Sequence, residues 1–260
     1  MSIKIVVSNK RQDASGWSPH REVNPETANI ANWSSRKIIR YRVGEVRRIA
    51  EAIQKAAPKL EAGAAVVIEK LLGGGRVITI GAGGSGVAGM SVMREIPQNH
   101  EDASPSRFLY VVAGGARILE PLGCEELEDS SEEGAGDVDS LRVTSRDVVI
   151  CISATGRTPY TRAVAKRARD RGAYTIGLIT TPHSELGSEV DHSITLDIGP
   201  ETFIGATCEK AASAQKDALD ALMDVVVVRL GFTNGNLCHA RPVHEKARIR
   251  GKFFARDGTG

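Results

Sequence analysis

Between Lys37 and Leu72 apolar residues recur at helical spacing. Ile39, Val43, Val46, Ala50 and Ile53 form one stripe, and Leu60, Ala64, Val67, Ile68 and Leu71 form another. Pro58 falls between the two runs, so the pattern predicts a pair of helices, the second running from Pro58 to Leu72. Gly73-Gly74-Gly75 then supplies a glycine C-cap. Beyond it the period changes. Short, mostly apolar runs stand at Arg76–Ile80, Phe108–Ala113, Asp147–Ile152, Tyr174–Ile179 and Ser193–Ile198, as strands covered on both faces should. Helical patterns lie between them, clearest at Pro159–Arg171 and Ala206–Leu230. Alternation of this kind predicts an α/β chain: a three-layer αβα, flavodoxin-like fold with a five-stranded parallel sheet and the N-terminal helical pair packed beside it.

The ends read differently. Residues 1–35 are polar and irregular, with Pro19 and Pro25 breaking any regular element, and suggest an extended arm. Residues 36–247 form the folded domain, and residues 248–260 a basic tail carrying Arg248, Arg250, Lys252 and Arg256. The net charge is +2, so no global field demands a polyanionic partner, and aromatic residues are only 4% of the chain, too few for a nucleic-acid stacking platform. Nucleic acid is therefore not an expected partner. Cys124, Cys151, Cys208 and Cys238 are widely spread and make no Cys-x-x-Cys pair, which fits reduced thiols better than a disulfide framework or a zinc site. No apolar stretch approaches the length of a membrane span, and the first residues lack a secretory h-region. A cytoplasmic protein without membrane contact, metal or cofactor is expected.

Candidate chemistry sits where a parallel sheet places ligands, just beyond the carboxyl ends of its strands. After the first predicted strand comes Gly81-Ala-Gly-Gly-Ser-Gly86. Gly83, Gly84 and Ser85 there offer backbone N–H groups and a hydroxyl to an anion at a helix N-terminus. The same residues satisfy Gly-x-Gly-x-x-Gly, so a dinucleotide turn and a ligand-free tight turn both remain open at this point. Against a dinucleotide, no acidic residue ends the second strand, which runs straight into Gly114-Gly115. After the third strand stands Ser153-Ala-Thr-Gly-Arg-Thr158, followed by Pro159. Ser153, Thr155 and Thr158 around Gly156 exceed what a helix cap needs. Two such turns on nearby strands suggest a phosphate cradle shared with a sugar.

The pair Gly-Ala-Gly-Gly-Ser-Gly and Ser-Ala-Thr-Gly-Arg-Thr-Pro-Tyr resembles the two phosphate-sugar loops of sugar isomerase (SIS) domains. More of the chain resembles the N-acetylmuramic acid 6-phosphate etherase branch, which also contains the glucokinase regulatory protein. The resemblance rests on Glu22-Val-Asn-Pro25, Ala113-Gly-Gly115, Glu128-Asp-Ser-Ser-Glu-Glu-Gly134, Gly199-Pro-Glu201, Gly205-Ala-Thr207, Lys210, Ala214-Gln-Lys216 and Gly235-Asn-Leu237. Departures from that branch's pattern fall at Gly84, Val87, Arg94, Ile96 and Cys208.

The resemblance implies cleavage of the lactyl ether of a phosphorylated amino sugar, with Glu95 as general acid and Glu128 as base. Glu125 and Glu126 are the neighbouring alternatives to Glu128. It also implies roles for Glu201 and Thr207 at sugar hydroxyls and for Lys210 at phosphate or enolate. Isomerase and non-catalytic sensor readings remain as alternatives. A straight helix would separate Ser85 from Glu95 by about 15 Å at 1.5 Å per residue. A homodimer with composite active sites is therefore expected.

Overall fold

The computed structural model describes residues 23–120, 125–205 and 209–256. Thr207, Cys124 and Cys208 lie outside the described residues, as does most of the expected arm. Five parallel strands, β1 (Val77–Gly81), β2 (Phe108–Val112), β3 (Val148–Ser153), β4 (Tyr174–Ile179) and β5 (His192–Thr195), stand in the order β2-β1-β3-β4-β5. All five match the expected apolar runs to within a few residues. The β1, β3 and β4 ladders are in register, Gly81 against Ile152 and Ile152 against Leu178, so these strands end at one level. The chain order reverses at β1 and β3, which leaves a crevice between the turns that follow them.

Side chains alternate across the sheet because successive strand residues face opposite sides. Val148, Ile150 and Ile152 enter one core, and Val149 and Cys151 enter the other. The first core is closed by α1 (Ser35–Leu72), α2 (Gly83–Asn99) and α6 (Lys210–Arg229), through residues such as Leu60, Val67, Met93, Leu219 and Val226. The second is closed by α3 (Ser131–Ser140), α4 (Pro159–Asp170) and the short α5 (Glu185–Glu189), through Val138, Val164 and Leu186. Burial pushes the Cys151 thiol up, so it behaves as a small apolar core residue. At the base of the sheet Arg76 grips Asp147 in a two-pronged contact, Nε to Oδ1 at 3.0 Å and Nη2 to Oδ2 at 2.7 Å. Burial would raise the Asp147 carboxyl, but Arg76 and the Thr144 N–H outweigh it and hold it below the usual carboxylate range.

The helical pair expected on either side of Pro58 is instead one continuous 38-residue helix, α1, begun by a Ser34 cap that accepts from the Lys37 N–H at 3.3 Å. Pro58 lies on the exposed face, where water can satisfy the carbonyl that its missing N–H leaves free. The buried stripe Ile49, Ala52, Ala56, Leu60, Ala64, Val67 and Leu71 passes the proline without losing phase, so packing against α6 carries the helix through. The expected boundary at residue 247 falls inside α7 (Glu245–Arg256), reached through a small hairpin, β6 (Thr233–Asn234) with β7 (Leu237–Cys238). Among the described residues, no helix is long and apolar enough to cross a membrane.

Candidate active site

The turn after β1 is tight because its backbone folds onto itself. A Cβ at Gly86 would lie 2.5 Å from the Gly81 carbonyl oxygen. At Gly83 the backbone has φ +49, and a Cβ there would sit 2.5 Å from Glu128 Oε1. Glycine at that position therefore lets a carboxylate from another element close over the start of α2. Neither α2 nor α4 has a side-chain cap bonded to its first turn, and α4 begins with Pro159. Two helix N-termini thus present unsatisfied N–H groups and positive dipole ends to the same crevice.

These elements enclose a cleft of about 260 Å³ lined by Gly84, Ser85, Glu128, Ser153, Thr155 and Thr158, with Asp129 and Arg157 at its edge. The β3–α4 turn is held by its own hydroxyls. Ser153 Oγ accepts the Gly156 N–H at 3.0 Å and shares a 3.1 Å contact with Thr158 Oγ1. Thr155 Oγ1 accepts the Arg157 N–H at 3.1 Å. A hydroxyl carries one hydrogen and two lone pairs, so the Thr155 hydrogen and one of the Ser153–Thr158 pair are left to donate into the cleft. The Gly156 N–H, expected as a ligand, is turned inward to Ser153 instead. Across the cleft Ser85 Oγ donates to Gln215 Oε1 of α6 at 2.9 Å.

Glu128 arrives on a single-turn segment (Glu125–Asp129) that leads into α3, capped by Ser130 accepting from the Glu133 N–H at 3.1 Å. The fully buried Tyr160 of α4 donates its phenol to Asp137 of α3, and burial with that acceptor pushes the phenol above its usual range. A Cβ at Gly134 would lie 2.3 Å from the Tyr160 carbonyl oxygen, so α3 and α4 cross almost in backbone contact. That crossing fixes where Glu128 hangs. The neighbouring Glu126 turns to the surface and pairs with Arg117 at 2.6 Å, which separates it from Glu128 as a candidate base.

Three expected site residues stand elsewhere. Glu95 lies on the exposed side of α2, ten residues beyond Ser85 and near Lys216 of α6, so this chain alone does not bring it to the cleft. Glu201 is buried and accepts the N–H groups of Lys210 (3.0 Å) and Ala211 (2.9 Å), because the buried start of α6 needs acceptors for its orphaned donors. Lys210 is fully buried. Its Nζ meets Glu45 Oε2 at 2.6 Å and donates to the Pro200 carbonyl at 2.6 Å, so it ties α1 and the 199–205 loop to α6 rather than facing the cleft. The described end of the arm joins the same knot, with Asn24 Nδ2 donating to the Glu201 carbonyl at 3.2 Å and Thr27 to the Thr202 carbonyl at 2.8 Å.

Asp129, Arg157 and Gln215 fall inside motifs of the sequence that assigned them no role of their own. Arg157 was in view inside a turn read only for its hydroxyls. Gln215 had a signal of its own, a polar residue on the otherwise apolar stripe Ala211, Ala214, Ala218, Leu219 and Leu222.

A flavodoxin-like sheet with two hydroxyl-bearing turns at uncapped helix ends defines a phosphosugar-binding protein of the SIS class. The SIS domain family matches residues 41–180. Solved structures with the same fold include a phosphoheptose isomerase from Francisella tularensis, with a TM-score of 0.56 and 18% identity over 75% of this chain and 98% of that one. Another is the NanR protein of Vibrio vulnificus in complex with ManNAc-6P, with a TM-score of 0.52 and 14% identity over 86% of this chain and 70% of that one. Sequence relatives narrow the class. The N-acetylmuramic acid 6-phosphate etherase of Rubrobacter xylanophilus is 38% identical over 91% of this chain and 78% of its own length. That of Bacillus subtilis is 35% identical over 82% of this chain and 70% of its own length. The chain belongs to the N-acetylmuramic acid 6-phosphate etherase family.

Proposed function

We propose that this protein is a carbon–oxygen lyase that cleaves the D-lactyl ether of N-acetylmuramic acid 6-phosphate, giving N-acetylglucosamine 6-phosphate and D-lactate. Family membership supports the substrate, and one observation supports the chemistry: the Glu128 carboxylate hangs over Gly83 in a cleft whose remaining polar wall consists largely of anion-binding donors. Ser85, Thr155, Thr158 and the first N–H groups of α2 and α4 hold the phosphate. The open-chain sugar carries an aldehyde at C1, which acidifies the proton on C2. Glu128 removes that proton, and the electron pair moves into an enolate on C1. The enolate then expels the lactyl oxygen from C3, which takes a proton from a general acid. Water adds back across the resulting C2–C3 double bond, its oxygen to C3 and a proton to C2.

In this reading the general acid is Glu95 of the partner subunit. The N-terminal half of α1 leaves Ile39 63%, Val43 65% and Val46 56% exposed in one stripe, an apolar face that a second copy of the chain would cover. The free thiols of Cys151 and Cys238 support a cytoplasmic setting for the same enzyme. The test is incubation with N-acetylmuramic acid 6-phosphate and assay of D-lactate. Release of lactate with Glu128-dependent turnover is expected. Tight binding without lactate overturns the lyase reading in favour of a sensor, and interconversion of aldose and ketose phosphates overturns it in favour of an isomerase.

A further inference from the structure

Gln215 is fully buried on α6 behind the cleft. Its Oε1 accepts the Ser85 hydroxyl at 2.9 Å, whereas its Nε2 is buried with no hydrogen-bond partner among the described residues. In this arrangement the single hydrogen of Ser85 is spent on Gln215, and Ser85 shows the cleft only lone pairs, which repel a phosphate oxygen. Turning the carboxamide over reverses the polarity. Nε2 then donates to Ser85 Oγ, and the Ser85 hydrogen is freed to point into the cleft. The terminal torsion of glutamine has broad, roughly two-fold wells, and the observed orientation leaves the donor end of the amide unpaired. The protein alone therefore does not lock this orientation, and an occupant of the cleft can reverse it.

We propose that Gln215 is a positioning residue for the phosphate, whose carboxamide turns over when the anion binds and converts Ser85 from an acceptor into a donor. The proposal rests on the sugar-phosphate reading above. It explains why the buried stripe of α6, beyond the paired Lys210, carries a polar side chain with an unused donor.

Calorimetric titration of N-acetylglucosamine 6-phosphate tests it with the full-length wild type, Gln215→Met, Ser85→Ala and the double variant. Methionine keeps the length of the side chain and removes the unpartnered amide, so Gln215→Met is expected to melt no lower than wild type. Its affinity is expected to fall a few-fold, because the Ser85 hydroxyl remains but loses the amide donor that turns its hydrogen toward the anion. Ser85→Ala should fall further, roughly tenfold or more, as loss of a hydrogen bond to a charged group implies, and the double variant should bind no more weakly than Ser85→Ala. Wild-type affinity in Gln215→Met, or additive losses in the double variant, overturns the proposal. Gln215→Glu gives a second route should the methionine variant fail to fold. While ionised it can only accept from Ser85, and affinity equal to wild type at a pH where it is ionised overturns the proposal as well. A wild-type protein that binds no sugar phosphate instead overturns the functional reading, and this inference with it.

Discussion

The two carboxylates that carry the proposed chemistry stand in opposite surroundings. Glu128 hangs from a segment braced by the α3–α4 crossing, directly above a positive-φ glycine, between two helix N-termini. Everything that places it belongs to one chain. Glu95 stands on the open side of α2 beside Lys216, ten residues beyond Ser85 in the same helix. Among the described residues, nothing in the same chain turns it toward the cleft. In the proposed mechanism, folding of a single chain therefore builds the phosphate cradle and the base, and the acid comes with assembly.

The largest effect should follow from Glu128→Gln, which keeps the shape and the hydrogen-bonding reach but cannot take a proton. Lactate release should drop by on the order of 10²- to 10⁴-fold while sugar-phosphate binding persists. Unchanged turnover would remove Glu128 from the mechanism. Glu95→Gln should be comparably inactive alone, and a mixture separates the two residues by subunit. In co-expressed Glu95→Gln and Glu128→Gln chains, each mixed dimer would hold one site with both carboxylates intact, returning roughly a quarter of wild-type activity. No recovery on mixing would place both residues in one chain's site. Full activity of Glu95→Gln alone would leave the cleft without a role for it.

A third, smaller effect concerns the buried knot at the N-terminal end of α6. Among the described residues, Lys210→Met leaves Glu45 buried with only Arg48 as a cationic partner, whose Nη1 lies 3.2 Å from Glu45 Oε1. Loss of one partner of a buried pair costs about 3–5 kcal/mol, and the remaining arginine should hold the loss to the lower end. Thermal unfolding would show it, and Glu45→Gln in the same chain should recover part of it. Turnover per folded molecule should change far less than in Glu128→Gln, because neither residue lines the cleft.

The sheet was legible because strands buried on both faces leave short apolar runs that little else in a soluble chain produces, and Val148–Ser153 is buried throughout. The cradle was legible because glycines and hydroxyls clustered immediately after two such runs. The single helix α1 was not, since Pro58 is a local signal for a break, and only the tertiary stripe shows that packing overrides it. The roles that the resemblance implies for Lys210 and Glu201 could not be weighed from sequence for a related reason: their partners are set by α1, 165 residues away in sequence, and by the N-terminus of α6. No window of sequence contains that information. Gln215 was visible as an anomaly in an apolar stripe, and its meaning needed Ser85, 130 residues distant.

The smallest expected effect sharpens the contrast between the two carboxylates from the Glu128 side alone. Asp139 at the end of α3 is held by Arg167 (Nη2 to Oδ2, 2.7 Å) and Arg171 (Nη2 to Oδ1, 2.7 Å), and these guanidiniums lower its carboxyl from 3.8 to about 2. A carboxyl depressed in the folded state contributes stability above its ordinary value, and that contribution is lost as pH falls through the folded value. The pairs are exposed, so their contribution is modest and falls with added salt. Wild type should melt slightly above Asp139→Asn at neutral pH, and the gap should close as pH falls from about 4 to about 2. Amide exchange should show the loosening in α3 and the Glu128 segment, and not at the Glu95 end of α2, which has no contact with this clamp. Equal loosening at both ends would mean that the two carboxylates share one structural unit.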